Sequence, residues 1–331
     1  MADEGDEYIG TEPSIVRSDV ADEYIRSAHY DLCLAWNCNY DGDFAALLDA
    51  ACRPRGLSLL QITPDNLAEV LRALTGGQVT FRAFLDRASN ADARFTPLVQ
   101  WARDHATYRI NPPERASRTW DKAAMHLALI GAGLYTPYSI VLPSCDEQPV
   151  LPPVDMSPLG ERFTIKPAHG GGGAGVITEA TSLSQVIAAR QEYPHDRYLL
   201  QAHSVPARCD SRPAWFRVTF PKGAPPKLSG RFRSPPHPRL RARHPGRRKS
   251  LRPGPLAPGG GIHRVYSPAA HLCGLELFST EVTLTPDGLF VVVDYVNDQI
   301  DLRLQSKTPD GVPDDIVRDV AARLATLVAA H

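Results

Sequence analysis

The chain has 331 residues, 43% of them hydrophobic, and a formal net charge of −1 at pH 7. Such a length and apolar content support a buried core with two or three lobes around one cleft, and exclude a fibre or a low-complexity chain. No apolar run approaches the roughly 18 residues needed to span a bilayer.

The opening "MADEGDEYIGTEPS" is acidic and lacks the charged-then-apolar order of a signal peptide, so a cytoplasmic location without membrane attachment is expected. Residues 1–28 are too polar to order themselves. Six cysteines, Cys33, Cys38, Cys52, Cys145, Cys209 and Cys273, form no C-x-x-C pair, which argues against zinc and a disulfide framework alike.

From there strand and helix alternate. "YDLCLAW" reads as a strand, "GDFAALLDAACRPRG" as a helix with a glycine stop, "LSLLQI" as a strand and "TPDNLAEVLRALTGG" as a helix. "QVTFRAFLDRAS", a helix through "TPLVQWARDHA" and the short strand "TYRI" complete a small α/β unit, about residues 29–111, with a largely parallel sheet. The first strand is followed by "NCNYDGD", with no G-x-G-x-x-G, so this unit is not a dinucleotide site.

Next come a helix from about Thr119 to Ala132, a Gly133 stop and a strand near Tyr138 to Leu142. "RFTIKPAHGGGGAGVITEA" is strand, glycine loop and strand, predicting two antiparallel strands around Gly170, Gly171, Gly172 and Gly173. A Walker loop would open a helix and place its lysine after the glycines, whereas here Lys166 comes before them. "SLSQVIAARQEY" reads as helix, "RYLLQAHSV" and "AWFRVTF" as strands, and "VPDDIVRDVAARLATLVAA" as an amphipathic helix with its stripe at Ile316, Val320, Leu324 and Leu327.

"STEVTLTPDGLFVVVDYVN" reads as a hairpin turning at Asp287-Gly288. Pairing Pro286 with Leu289 sets Glu281 opposite Asp294. Like charges facing across a ladder are destabilising unless one is protonated or a cation lies between them, and Asn297 adds a neutral oxygen. Mg2+, a hard cation taking one or two carboxylates plus phosphate oxygens, suits this set; a one-residue register change would turn Glu281 to the other face. Lys122, on the first turn of "TWDKAAMHLALIGAG", and Lys166 flank the glycine loop in sequence order, in reach of phosphates held by its backbone N–H groups.

These six segments in order, from "INPPERASRTWDK" to "STEVTLTPDGLFVVVDYVND", resemble the ATP-grasp superfamily of carboxylate-amine or -thiol ligases. The resemblance implies an ATP-grasp fold of two α+β subdomains over 112–331, clasping ATP and preceded by a Rossmann-like pre-ATP-grasp unit. It implies that Lys122 and Lys166 hold ATP phosphates, with His169 and the glycines as a lid, and that Gln201, Ala202, His203 and Ser204 border the adenine. Arg217 would face the transferred phosphate or the acyl intermediate, and Glu281, Asp294 and Asn297 would bind Mg2+. The family's usual ending is an acid, one residue, then Asn; here two residues intervene, so the assignment within "DYVNDQID" stays open and Asp298 or Asp301 is a further candidate ligand. The implied reaction activates a small-molecule or peptide carboxylate as an acyl phosphate for attack by an amine or thiol, in a chain that commonly dimerises. An ATP-grasp kinase, or a nucleotide-binding protein without ligase turnover, is the alternative.

Between Asp210 and Glu276 there is no acidic residue, and 221–262 is rich in Arg, Pro, Gly and Ser, with almost no apolar periodicity. That composition predicts irregular structure. It fits a basic loop for nucleic acid or an acidic partner, though Phe232 alone offers an aromatic for base stacking. It also fits a GC-rich coding sequence read out of frame.

Overall fold

The computed structural model describes residues 27–331 except 39, 107, 172, 210–211, 222–226 and 231–267. The expected polar tail therefore lies almost wholly outside the described residues, with Ala28 opening the first strand.

The first unit runs β1 (Ala28–Trp36), α1 (Asp41–Cys52), β2 (Leu59–Ile62), α2 (Leu67–Thr75), β3 (Val79–Arg87), α3 (Thr96–His105) and β4 (Tyr108–Ile110). Its sheet, ordered β2-β1-β3-β4, is parallel at every pairing. Parallel strands are covered on both faces, and so the central strands carry apolar residues on both. Cys33, Ala35, Phe81 and Phe84 pack under α2 and α3, while Leu32, Leu34, Ala83 and Leu85 pack under α1.

Short α4 (Pro113–Ala116) leads to α5 (Lys122–Gly131), whose cap is Asp121, accepting from Ala123 N–H at 2.9 Å and Ala124 N–H at 3.0 Å. Thr119, where the helix was expected to start, instead belongs to a separate 3-10 turn because the carboxylate of Asp121 satisfies the orphan N–H groups just before Lys122. A second sheet, ordered β5-β8-β6-β7, is built from β5 (Ser139–Leu142), β6 (Phe163–Pro167), β7 (Ile177–Ala180) and β8 (Tyr198–Ala202). β6 and β7 are antiparallel about the glycine loop, as the sequence predicts. One face of this sheet, with Phe163, Ile165, Tyr198 and Leu200, packs on α6 (Leu183–Glu192).

After the two-residue strands β9 (Arg208–Cys209) and β10 (Arg212–Pro213), the third sheet is ordered β12-β11-β13-β14 and antiparallel throughout. Its members are β11 (Trp215–Pro221), β12 (Lys227–Gly230), β13 (Leu277–Leu284) and β14 (Phe290–Asn297). β12 falls inside the interval that composition marks as irregular. A strand with no apolar pattern forms there because β11 supplies the pairing along its edge. The Arg/Pro run itself, with Phe232 and the question of nucleic acid or reading frame attached to it, lies outside the described residues.

The closing helix α7 (Asp314–Ala329) returns to the start of the chain. It buries Ile316, Val317, Val320, Ala321, Leu324, Ala325 and Val328, a wider stripe than expected with Leu327 at its margin, against α1, β1 and the Leu277, Ile300 and Leu302 side chains.

Candidate active site

Alternation sorts the β11–β13–β14 face. Phe216, Val218, Val282 and Val292 point into the core shared with α5, and their neighbours Arg217, Glu281 and Asp294 form one row on the other face. The register pairs Arg217 with Glu281 and Glu281 with Asp294. Glu281 thus faces Asp294 as the sequence predicts, by a different route. Near the turn the pairing is Leu284 with Phe290, one residue out of step with the expected Pro286–Leu289 pair. Thr285 C=O accepts from Gly288 N–H at 2.9 Å and Gly288 has φ 84°, a type I turn with Pro286 second and a left-handed glycine fourth. The pairing then slips at Val293: Val282 meets Val292, but Glu281 meets Asp294. This bulge turns Asp294 from the core face to the polar face. A second irregularity sets Ser279 opposite Asn297, so two residues rather than one separate acid from amide on the same face. Asn297 Nδ2 lies 3.3 Å from Asp294 Oδ2.

Arg217 Nη2 donates to Glu281 Oε1 at 2.9 Å, and its Nη1 lies 3.8 Å from Asp301 Oδ2. Burial lowers the guanidinium's pKa while Asp301 and Asp294 oppose the shift; an arginine keeps its charge all the same. Asp301 is bound by Arg303 through Nε at 2.9 Å and Nη2 at 3.0 Å. Burial raises the Asp301 carboxyl, but these bonds and the nearby Arg217 charge outweigh it and leave the pKa below the usual value. Arg217, Ser279, Asn297, Gln299, Asp301 and Arg303 line a cavity of about 270 Å³. Ser279 carried no sequence signal, being an isolated polar residue whose place in the cavity only the fold creates, whereas Gln299 and Arg303 belong to "DQIDLRLQS", a loop the sequence offers for substrate contacts.

The lysines approach from the second sheet. Lys166 Nζ donates to Gln201 Oε1 at 2.7 Å and to the carbonyl of the bulged Val293 at 3.1 Å, joining the two antiparallel sheets. Lys122 Nζ reaches Gly170 C=O at 2.5 Å, and its backbone N–H donates to Ala168 C=O at 2.8 Å, so α5 begins against the glycine loop. Burial lowers the Lys122 pKa; Asp294, Asp196 and Asp121 pull it back up. Both lysines, the loop and Asp294 therefore share one locality.

Gly170 and Gly173 have φ of 100° and 86°, which side chains other than glycine rarely adopt. A Cβ at Gly170, Gly171 or Gly173 would meet nothing within 4 Å, so the loop borders open space. Gly172 lies outside the described residues. His169 is held by Asp196, which accepts from its backbone N–H at 2.8 Å and meets its Nδ1 at 2.9 Å, and His203 Nε2 meets Thr178 C=O at 2.8 Å. Ala202 N–H already donates to Tyr138 C=O at 2.9 Å, while Ser204 follows β8 in a stretch outside any strand.

Glu281, Asp294 and Asn297 offer hard oxygen donors, with no thiol or imidazole among them. Among the described residues no group of three His, Cys, Asp or Glu forms a complete metal cage. A cation held by two carboxylates takes its other ligands from phosphate and water, which is how Mg2+ binds beside a nucleotide. Two lysines and an open glycine loop next to those acids fit the phosphates.

No family model matches the sequence, and no curated protein matches it. Solved structures do. A RimK domain ATP-grasp protein from Sphaerobacter thermophilus aligns with TM-score 0.56 and 19% identity, over 89% of this chain and 99% of that one. The ATP-grasp ligase PsnB, solved with minimal precursor, Mg and ADP, aligns with TM-score 0.57 and 13% identity, over 91% and 99%. D-alanyl-alanine synthetase A from Vibrio cholerae aligns with TM-score 0.59 and 9% identity, over 92% and 99%. The chain has the ATP-grasp fold, mixing parallel and antiparallel sheets.

Proposed function

We propose that the protein is an ATP- and Mg2+-dependent ligase that activates a small-molecule or peptide carboxylate as an acyl phosphate for attack by an amine or thiol. The observation that carries this reading is the cross-strand row Arg217–Glu281–Asp294 beside Lys166, Lys122 and the glycine loop. The neighbours support it, since PsnB is a ligase solved with Mg and ADP and another neighbour is a synthetase.

When bound, the nucleotide supplies a transferable phosphoryl group and the cation neutralises its charge. In this reading Glu281, Asp294 and Asn297 hold the cation, and Lys122 and Lys166 hold phosphate oxygens. Arg217, which lines the polar cavity, faces the transferred phosphate or the acyl intermediate. Gly170, Gly171 and Gly173 with His169 cover the phosphates and exclude water that would hydrolyse the acyl phosphate. Gln201, the backbone of Ala202 and Ser204, and His203 border the base, Ala202 through its carbonyl because its N–H is taken. Phosphoryl transfer asks a protein mainly for positioning and electrostatics, so no serine or cysteine nucleophile is required. We further assign 29–111 as the pre-ATP-grasp, Rossmann-like unit and 112–331 as the ATP-grasp unit, with α7 packing back on the first.

The test is ADP release on mixing the protein with ATP, Mg2+ and a panel of carboxylates, with hydroxylamine trapping the acyl phosphate as hydroxamate. Carboxylate-dependent ADP together with hydroxamate is expected. ADP without hydroxamate would instead favour a kinase.

A further inference from the structure

Four polar side chains run in line through the interior behind the two lysines. Lys166 Nζ donates to Gln201 Oε1 at 2.7 Å, Gln201 Nε2 donates to the Tyr295 hydroxyl at 3.1 Å, and that hydroxyl lies 2.8 Å from His126 Nδ1. Gln201, Tyr295 and His126 are each 3% exposed or less, so every bond must be made within the protein.

The direction of the chain follows from its first member. An ammonium only donates, so Gln201 must turn its oxygen to Lys166 and its NH2 to Tyr295. The phenol oxygen accepts that bond and has its own proton left to give. Ser139 lies near the phenol as well, its own hydroxyl donating to Pro137 C=O at 3.0 Å, but the phenol's hydrogen bonds within 3.5 Å are those to Gln201 and His126. The nearest acceptor for the phenol proton is therefore His126 Nδ1, at 2.8 Å, which then carries a lone pair. Burial, and then the Lys166 charge, hold the His126 pKa below its usual value, in keeping with a neutral ring.

The members sit on four elements that carry site residues: His126 is one turn beyond Lys122 on α5, Tyr295 follows Asp294 on β14, Gln201 is on β8 and Lys166 on β6. Moving any one shifts the end of the line.

We infer that His126 and Tyr295 are positioning residues, which set the place of the Lys166 ammonium through Gln201 by a hydrogen-bond chain of fixed direction ending on a neutral imidazole with a bare Nδ1. The inference rests on the nucleotide reading for what Lys166 grips, but not for the chain itself. Tyr295→Phe and His126→Leu remove a link and keep an apolar filler in the core. His126→Asn returns an acceptor oxygen close to the position of Nδ1.

Two measurements test this. In the wild-type protein with 15N-labelled histidine, ring nitrogen shifts should show His126 protonated on Nε2 and bare on Nδ1; a protonated Nδ1 overturns the chain with no nucleotide involved. Calorimetric titration with AMPPNP and Mg2+ should show Tyr295→Phe and His126→Leu weakening affinity about tenfold, the effect of one misplaced charge-assisted bond, with His126→Asn within about twofold of wild type. A purely structural role would lower thermal stability in all three and leave affinity alike in all, which would also overturn the inference. Should the wild-type protein bind no AMPPNP while His126 shows the expected tautomer, the nucleotide reading fails and the role assigned to the chain falls with it.

Discussion

The parallel sheet β2-β1-β3-β4 and the antiparallel sheet β12-β11-β13-β14 have the same number of strands and opposite uses. The first is apolar on both faces, between α1 with α7 on one side and α2 with α3 on the other. The second turns its broad apolar face toward α5, and its other face, apolar only at the Leu277 end, holds Arg217, Glu281 and Asp294 in one row. A covered sheet has nowhere to keep an unpaired charge, because burying one costs several kcal/mol. A sheet with an open face can hold like charges side by side, accepting repulsion that a cation relieves. Stability is thus concentrated in one region and chemistry in the other, and substitutions should separate the two.

Asp294→Asn breaks the comparison most sharply. ADP release should fall by roughly 10²–10³-fold, the usual loss when one preorganised electrostatic group is removed. Its melting temperature should change little, since relief of the Glu281–Asp294 repulsion is offset by the loss of Asp294's attraction to Lys122 and Arg217. Retained turnover would remove the acidic row from the site. Leu34→Ala, in the covered sheet at 0% exposure, should do the reverse, costing about 2–5 kcal/mol in denaturant unfolding while activity per folded molecule stays unchanged.

Asp301 tests the border between the regions. Its folded pKa is below the usual carboxylate value, so the folded state binds its proton less readily than the unfolded chain. It therefore contributes stability above about pH 4 that is lost as pH falls through the folded value. Asp301→Asn should lower stability at neutral pH by roughly 1–3 kcal/mol, with Arg303 losing its bidentate partner, and the two proteins should converge in acid. A gap independent of pH would contradict the assigned pairing.

Thiol labelling gives the smallest effect. Burial pushes Cys52 and Cys273 up to about 11, and Cys33 is raised as well, whereas Cys38 is exposed. A maleimide should modify Cys38 in the native protein within minutes and reach the three buried thiols only on unfolding. Early labelling of Cys33 or Cys52 would show that the parallel unit opens on its own.

Much of this architecture was legible in the residues. Alternating strand and helix patterns located the parallel sheet, the β-prone residues on either side of the glycines placed that loop between antiparallel strands, and Asp287-Gly288 announced the hairpin. The paired acids were legible too, though the assumed turn was wrong, because the bulge at Val293 offset the one-residue difference at the turn and restored the pair. Bulges leave no mark in "FVVVDYVN", whose run of valines reads as an ordinary strand. The strand β12 was hidden in the same way, since its pairing comes from its neighbour and not from its composition.

The sequence by itself determined most of the strands and helices, β12 excepted, and which residue types can grip phosphate and cation, for these follow from local periodicity and side-chain chemistry. Only the tertiary structure decided that Lys122 meets Gly170, that Lys166 reaches the Val293 carbonyl 127 residues away, and that α7 closes the core begun by β1. Those contacts join segments far apart in the chain, and their places depend on how whole sheets and helices bury their apolar faces together, a condition that no local stretch of residues records.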